Sequence, residues 1–522
     1  MLGLAAIGAY LAIALARLNY PFTLEVLESN SLIEVHRILA GQPLYAAPGV
    51  SYVPDGYPPL YFAVSAAAAS VLGQSYLPLR LVSLVASLAC FALLARLVQR
   101  ETASACAGLA AAGVLAATYF AAGKWFDVAR VDSLFLAFSV AALYAARWMR
   151  RTRGAITAGL LLAAAFLTKQ TALAEGVAVL AAVAAGPRRR LAVPAALTYG
   201  AVVGGSTLAL GLGSRGWYVY YVFEQMSEHS FILPAIAQFW TSYLLPTLGL
   251  ACCAVVLGTR RTPLVLVAGC AALTLEGCAA LVHAGGNVND LLPAYLAVAL
   301  LAGLALDGRP GPWLGAGLGR LAAARGAKRG TGQAGRWAAA TPGLLVIAQL
   351  AVLMTGFRPA QAIPSSADGA VGVRLTAGLR ALGGRVAVPA DPGLTLLAGL
   401  PAVEDQIAAA DVLHASNDAA IWTFMSSVSR AVAAQRFTAI ITELGMDLRG
   451  FPADLPLYYH RCPQILQAGV PPAPFRPGSG EWTVSVWLPV GGESCAAAVR
   501  ALEGADSPAR PSVLADQEAG NE

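Results

Sequence analysis

The sequence predicts an α-helical polytopic membrane protein of about eleven transmembrane helices, followed by a small α/β domain. Three observations carry this. Of 522 residues, 57% are hydrophobic and only 12% charged, against about 25% charged in soluble domains. Apolar stretches long enough to approach a membrane span recur through the first 357 residues. Arginine clusters stand at every second connection between most of them, the asymmetry that membrane orientation imposes on basic residues.

The apolar segments fall at 1–19, 78–98, 103–122, 131–146, 154–168, 171–186, 191–213, 238–258, 263–283, 291–306 and 341–357. A span needs ~20 residues, so the shorter ones must borrow flanking positions. Met1–Leu18 has no basic n-region or cleavage site and reads as a first span rather than a signal peptide. Segment 57–73 opens with Tyr57-Pro58-Pro59 and reads as a surface helix. The basic clusters are Arg96 and Arg100; Arg147, Arg150, Arg151 and Arg153; Arg188, Arg189 and Arg190; Arg260 and Arg261; and the run from Arg309 to Arg336. Basic loops stay cytoplasmic, which sends 123–130, 169–170, 214–237, 284–290 and everything after 357 to the outside. Gly311–Gly335, rich in Gly, Arg and Lys, reads as a flexible loop near anionic headgroups.

Beyond 357 the composition changes. Arg385–Ala390, Phe437–Leu444 and Glu481–Pro489 read as strands, 370–382 and 403–435 as helical, and Asp391-Pro392-Gly393 as a turn. The domains are then 1–357 in the membrane, with 20–77 as an extracytoplasmic first loop, 358–502 outside it, and a polar, disordered tail over 503–522. Six of the eight cysteines lie in apolar segments as small fillers. Cys462 and Cys495, the only two in the last domain, either pair in an oxidising compartment or stand as separate thiols. No CxxC spacing supports a structural zinc site. No cofactor is expected, and no spacing demands a divalent metal. The net charge of +6 makes no case for nucleic-acid binding.

The polar residues concentrate in the connections assigned to one face. Tyr20–Pro59 gathers Glu25, Glu28, Glu34 and Asp55. A loop this long between apolar spans is functional or disordered, and its helical spacing and Pro, Gly and Tyr punctuation argue for order. A carboxylate there can act as general base toward an acceptor hydroxyl or amine; the alternative is a solvated acidic helix face. Lys124 to Asp132 places Asp127, Arg130 and Asp132 at the entrance to a span, where ionisable groups are costly unless paired or functional. Lys169-Gln170 stands at another span end. Lys169 either snorkels or stabilises a departing phosphate, with Arg80 as a second such cation. Tyr57, Asn287 and Asn289 offer hydrogen bonds to a sugar, although Asn287 and Asn289 also suit a plain turn. Glu175 and Glu276 lie within spans, either lining a cavity or buried and paired. No P-loop, GxSxG or dinucleotide fingerprint appears.

The ordered series GQPLY (41–45), YPPLY (57–61), LRLVS (79–83), FDVARVDSLFLAF (126–138), FLTKQTAL (166–173) and GGNVNDLLP (285–293), behind an acidic first loop, resembles bacterial GT-C glycosyltransferases, the membrane enzymes related to protein mannosyltransferases and lipid A aminoarabinose transferases. It covers about residues 1–300. The resemblance implies a GT-C-like helix arrangement in a bacterial inner membrane and catalysis on the outer face. It implies a polyprenyl-phosphate-linked sugar, not a nucleotide sugar, as donor, and a glycan, lipid or protein as acceptor. It puts the first-loop base at Glu28, with Glu25 a rival because Ser29 departs from the family's pattern. The second-loop acid falls on Asp132, with Asp127 close by, and Lys169 matches the family's lysine. The expectation is therefore an inverting membrane glycosyltransferase. The rival is a transporter or flippase for a lipid-linked glycan, which would show paired halves with broken helices; no such symmetry is seen.

Overall fold

The computed structural model describes residues 1–258, 262–307, 333–443, 450–462 and 484–503. Its first 357 residues are helical because a chain in hydrocarbon must satisfy its backbone polar groups internally. The helices are α1 (Leu2–Leu18), α2 (Glu28–Leu39), α3 (Leu60–Leu72), α4 (Tyr76–Thr102), α5 (Ala105–Ala117), α6 (Asp132–Trp148), α7 (Thr152–Thr168), α8 (Ala172–Ala185), α9 (Ala192–Gly213), α10 (Pro234–Gly258, with a π-helical stretch at Phe239–Leu244), α11 (Leu264–Val282), α12 (Leu292–Ala305) and α13 (Gln333–Thr355).

Each apolar segment expected from the sequence is helical, yet fewer helices than about eleven are long enough to cross a membrane alone. Five among the described residues qualify by length and composition: Tyr76–Thr102, Arg189–Gly213, Pro234–Gly258, Leu264–Val282 and Val288–Ala305. A sixth counts if the bent pair Ala340–Thr355 and Pro359–Leu382 is one span. The other helices stop short where polar residues interrupt them. α7 and α8 are separated at Lys169-Gln170-Thr171, and α6 begins only at Asp132. α3 has 13 residues, about 20 Å of helix against a hydrocarbon core of about 30 Å.

Small residues set the packing. A Cβ on Gly113 of α5 would meet the Gly3 backbone of α1 at 2.3 Å, and one on Gly108 would meet the Ala95 carbonyl of α4 at 2.4 Å. Such close backbone approach lets helices associate in a medium that supplies no hydrophobic drive. Outer faces leave Val85, Leu160, Leu197, Leu208 and Leu212 exposed, as hydrocarbon contact allows. Inside, Tyr10, Phe91 and Phe126 meet edge to face, with ring centroids 5.5–5.9 Å apart.

The C-terminal part holds a four-stranded sheet in the order β1-β2-β4-β3, with β1 Val386–Ala387, β2 Ala439–Glu443, β3 Tyr459–Arg461 and β4 Val484–Pro489. β1 and β2 are parallel; the other pairings are antiparallel. β3 was not expected, being only 3 residues long. Helices α14 (Ser366–Leu382), α15 (Pro392–Leu397), α16 (Gln406–His414), α17 (Asp418–Ala433) and α18 (Cys495–Glu503) accompany it. Cys462 and Cys495 form a disulfide. The expected tail from 504, the start of the third strand at 481 and the basic loop 308–332 lie outside the described residues.

The first loop is clamped between the two parts. Tyr45, Val50 and Val53 share a core with Val403, Val412 and Phe424, and Phe22 packs with Val388 and Leu394. The opposite end of the bundle gathers arginine. Arg147 pairs with Glu101 at 2.5 Å, Arg188 donates to the Arg147 carbonyl at 2.6 Å, and Arg100 donates to Tyr144 at 2.8 Å.

Candidate functional site

Four polar clusters occupy the face beneath the C-terminal part. The first is Glu28 with Arg80. Glu28 is the first residue of α2, and Arg80 lies in the first turns of α4. The guanidinium donates to Glu28 at 2.6 and 2.9 Å and to the carbonyls of Tyr20 and Phe22 at 2.5 Å each. Glu28 also accepts from the Leu24 and Ala129 amides at 2.6 and 2.7 Å. Both side chains are 0% exposed. Burial would raise the Glu28 carboxyl, but Arg80 and these amides outweigh it and hold it below its ordinary value. Four donors occupy this carboxylate, and Arg80 is turned inward to the first loop.

The second cluster is closed around its carboxylate, with Arg17 Nη1 the one guanidinium nitrogen left without a partner. Asp127 receives two hydrogen bonds from Arg17 of α1, at 2.6 and 2.7 Å, and a third from Tyr119 at 3.1 Å. Arg17 also donates to the Lys124 carbonyl at 2.6 Å. Gly123 and Lys124, at φ +69° and +66°, turn the chain so that Asp127 comes back to α1. Arg17 had no signal in the sequence beyond being one cation at the end of an apolar stretch.

The third cluster is open. Arg130 donates to Tyr57 Oη at 3.0 Å and lies over the Tyr57 and Trp125 rings. Its Nε stands 3.9 Å from Glu25 Oε2, and Nε and Nη1 have no hydrogen-bond partner although Arg130 is 2% exposed. Glu25 accepts one hydrogen bond, from the Leu27 amide at 3.0 Å. Burial pushes its carboxyl up to about 7, with the Glu28 charge adding and Arg130 only partly opposing. Beside it, Glu34 accepts from the Asp55 amide at 2.9 Å and Asp55 from Asn30 at 2.6 Å. One oxygen each of Glu34, Asp55 and Asn30 is buried without a partner. Burial raises both carboxyls, and the neighbouring Asp55 charge raises Glu34 further.

The fourth cluster joins three connections. Lys169 Nζ donates to Asp132 Oδ1 at 3.1 Å and to Asp290 Oδ1 at 3.2 Å. Asn289 donates to Asp132 at 3.4 Å, and Asp132 Oδ2 is buried with no partner. Asp132 opens α6, where the helix N-terminus favours a carboxylate. Lys169 stands in extended backbone at φ −145°, in the break between α7 and α8. Gln170 donates to the Gly56 carbonyl at 2.7 Å, which ties the first loop to that break. Asn287 caps the short turn Val288–Leu291 and is exposed; its backbone amide donates to Asp290 Oδ2 at 3.1 Å and so steadies the ion pair from outside. Arg130 feels Glu25, Asp132 and Asp55 at once, so the third and fourth clusters form one electrostatic unit with Tyr57 between them.

Glu175 accepts from Ser139 at 2.7 Å and Glu276 from Thr171, inside the bundle. Among the described residues, one group of three Cys, His or carboxylate side chains brings its ligand atoms together: His460, Cys462 and Cys495. Its two sulfurs are bonded to each other and so are not thiolate ligands.

This bundle, with its charged face under a small sheet, is similar in fold to ArnT, and part of its sequence matches a mannosyltransferase family. Residues 56–211 match the family model described as dolichyl-phosphate-mannose-protein mannosyltransferase, a stretch that holds Arg80, Asp127, Arg130, Asp132 and Lys169. Among solved structures, ArnT from Cupriavidus metallidurans in the apo state overlays with a TM-score of 0.56 at 13% identity, covering 93% of this chain and 97% of that one. The same protein bound to undecaprenyl phosphate gives 0.52 at 13% identity, with the same coverage of both chains. At that identity the likeness is one of fold. No curated protein matches the sequence.

Proposed function

We propose that this chain is a membrane glycosyltransferase that moves a sugar from a polyprenyl-phosphate donor to an acceptor hydroxyl or amine outside the cytoplasm. The observation that carries it is the open pair of the third cluster, a protonatable carboxylate facing a buried guanidinium with unused donors. The family description and the undecaprenyl phosphate bound by ArnT support a lipid-phosphate donor. Glu25 is the base. With a carboxyl titrating near 7 and one hydrogen bond, it has lone pairs free to take a proton at neutral pH. The acceptor heteroatom then bonds to the anomeric carbon, and the bond from that carbon to the phosphate oxygen breaks with its electrons leaving on the phosphate.

Arg130 meets that charge with Nε and Nη1, and Lys169 adds a second positive charge from the break between α7 and α8. Asp132 and Asp290 hold Lys169, Asn289 steadies Asp132, and Tyr57 holds Arg130. Attack opposite the leaving phosphate inverts the anomeric centre. Glu28, Arg80 and Asp127 position the first loop and do not take part in proton transfer, because their hydrogen-bonding capacity is committed internally.

The test is turnover of a radiolabelled polyprenyl-phosphate sugar by the purified protein in nanodiscs, with a total membrane extract supplying the acceptor. Glu25→Gln should abolish release of polyprenyl phosphate. Normal release by that variant would end this assignment. Sidedness is checked separately at the exposed Ser51: an engineered cysteine there should react with an impermeant maleimide from the extracytoplasmic side of oriented vesicles. Labelling from the cytoplasmic side alone would refute the placement.

A further inference from the structure

A cavity of about 640 Å³ lies apart from the four clusters, between the connections of the bundle and helix α16. Its volume is within the ~300–1,000 Å³ of small-molecule sites. One wall is His229 and the Ala284-Gly285 turn; the other is Glu404, Gln406, Asp411 and their neighbours. His229 is fixed within its own wall by the Ala284 carbonyl, 3.1 Å from Nδ1, and its Nε2, without a hydrogen-bond partner, faces Asp411 of the other wall at 3.7 Å.

Two features show that the cavity is built for a polar ligand. Glu404 is 2% exposed, and its Oε2 has no hydrogen-bond partner; neither has the buried Nε2 of Gln406. Both residues line the cavity, with an unpaired acceptor and an unpaired donor two residues apart buried in its wall, and leaving such groups buried and unpaired is costly. Ile407 and Phe451 supply apolar wall beside them, the mixture that a sugar's hydroxyl edges and C–H faces present. The charge is one-sided. Carboxylates of Glu404 and Asp411 line the cavity, and no lysine or arginine does so among the described residues. Burial raises the Glu404 carboxyl to about 8 and that of Asp411 to about 7, which equips them to donate as well as accept. An anionic ligand gains nothing here, whereas hydroxyl and ammonium groups find partners.

The cavity is also wired to the proposed reaction centre. The turn that forms its wall at Ala284-Gly285 continues within a few residues to Asn289 and Asp290, which hold Asp132 and Lys169. On the other side, Asp405 caps α16 and takes a hydrogen bond from Ser29, next to Glu28, at 3.3 Å, while the Glu404 amide donates to the Val50 carbonyl at 3.3 Å. We propose that this cavity is an acceptor-binding site for a saccharide that carries hydroxyl or amine groups and no acidic group, an assignment that rests on the glycosyl-transfer reading above and names its acceptor's chemistry.

The full-length protein in nanodiscs is titrated calorimetrically with a glucosamine tetrasaccharide, with tetragalacturonate and tetralysine as comparators. The glucosamine probe should bind saturably, and tetragalacturonate should not. Glu404→Ala and, separately, the more exposed Asp411→Asn should each raise its Kd at least tenfold with an unchanged melting temperature. No saturable binding, equal binding of tetragalacturonate, tetralysine binding as tightly as the sugar, or indifference to both variants overturns the proposal. Donor turnover is measured on the same samples with a total membrane extract, rather than the saccharide probe, supplying the acceptor. Its absence from the unaltered protein would count against the glycosyl-transfer reading, while the titration decides the cavity by itself.

Discussion

Two carboxylate–arginine pairs begin three residues apart in the first loop and are built in opposite ways. Glu28 and Arg80 are 0% exposed and saturate one another. Glu25 and Arg130 stand 3.9 Å apart, with two guanidinium nitrogens unpartnered. A saturated pair in a dry site has its protonation state fixed and no lone pair to spare. An undersatisfied pair is destabilising, and so is retained where a substrate completes it. Under the proposed function, fastening falls to Glu28 and chemistry to Glu25, the reverse of the order of preference that the motif resemblance implied.

The largest effect expected is at the open pair. Glu25→Gln should lower turnover by about 10²–10⁴, the usual worth of a general base, while the melting temperature stays near that of the parent protein. A large loss of melting temperature with turnover intact in the surviving fraction would erase the contrast. The closed pair should respond the other way. Glu28→Gln or Arg80→Met alone should cost about 3–5 kcal/mol, as the loss of one partner from a buried ion pair does, read from unfolding in detergent. The double variant should cost less than the sum of the two, because it leaves no orphaned charge.

The pH profile sharpens the distinction. The Glu25 carboxyl is raised, so it is protonated and inactive as a base below about 7. kcat/KM should rise about tenfold per pH unit up to that point and level off above it. The lowered Glu28 carboxyl would instead give a profile already flat at pH 6. The smallest effect is expected at Tyr57→Phe, which removes the 3.0 Å hydrogen bond to Arg130. About 1 kcal/mol should appear as a roughly fivefold rise in KM for the donor.

The helical segments were legible because lipid imposes apolar composition on them, and the crowding of polar residues on one face followed from the alternation of arginine. Lys169 with Asp132 was legible too, since both sit at span ends where charge requires a reason. The number of full-length spans was not. The breaks at Lys169-Gln170 and before Asp132 were visible, but hydropathy did not show how little the short segments would gain from their flanks: α7 ends at Thr168 and α8 runs only from Ala172 to Ala185. Partner choice was also hidden. Nothing local at Asp127 points to Arg17, 110 positions away, or at Glu28 to Arg80. Glu404, Asp405 and Asp411 of the last part belong to no motif, and only the fold shows that Glu404 and Asp405 are buried.

The bond between Arg17 and Asp127 also bears on how the chain is made. The first helix carries its guanidinium near the membrane edge, and the carboxylate that neutralises it is 110 residues downstream. At about 5–20 residues per second, ribosomes deliver that partner some 5–20 s after the arginine. Until then Arg17 lacks the carboxylate that neutralises it in the finished fold, so the seat of α1 against the bundle is completed only once the turn before α6 has been made.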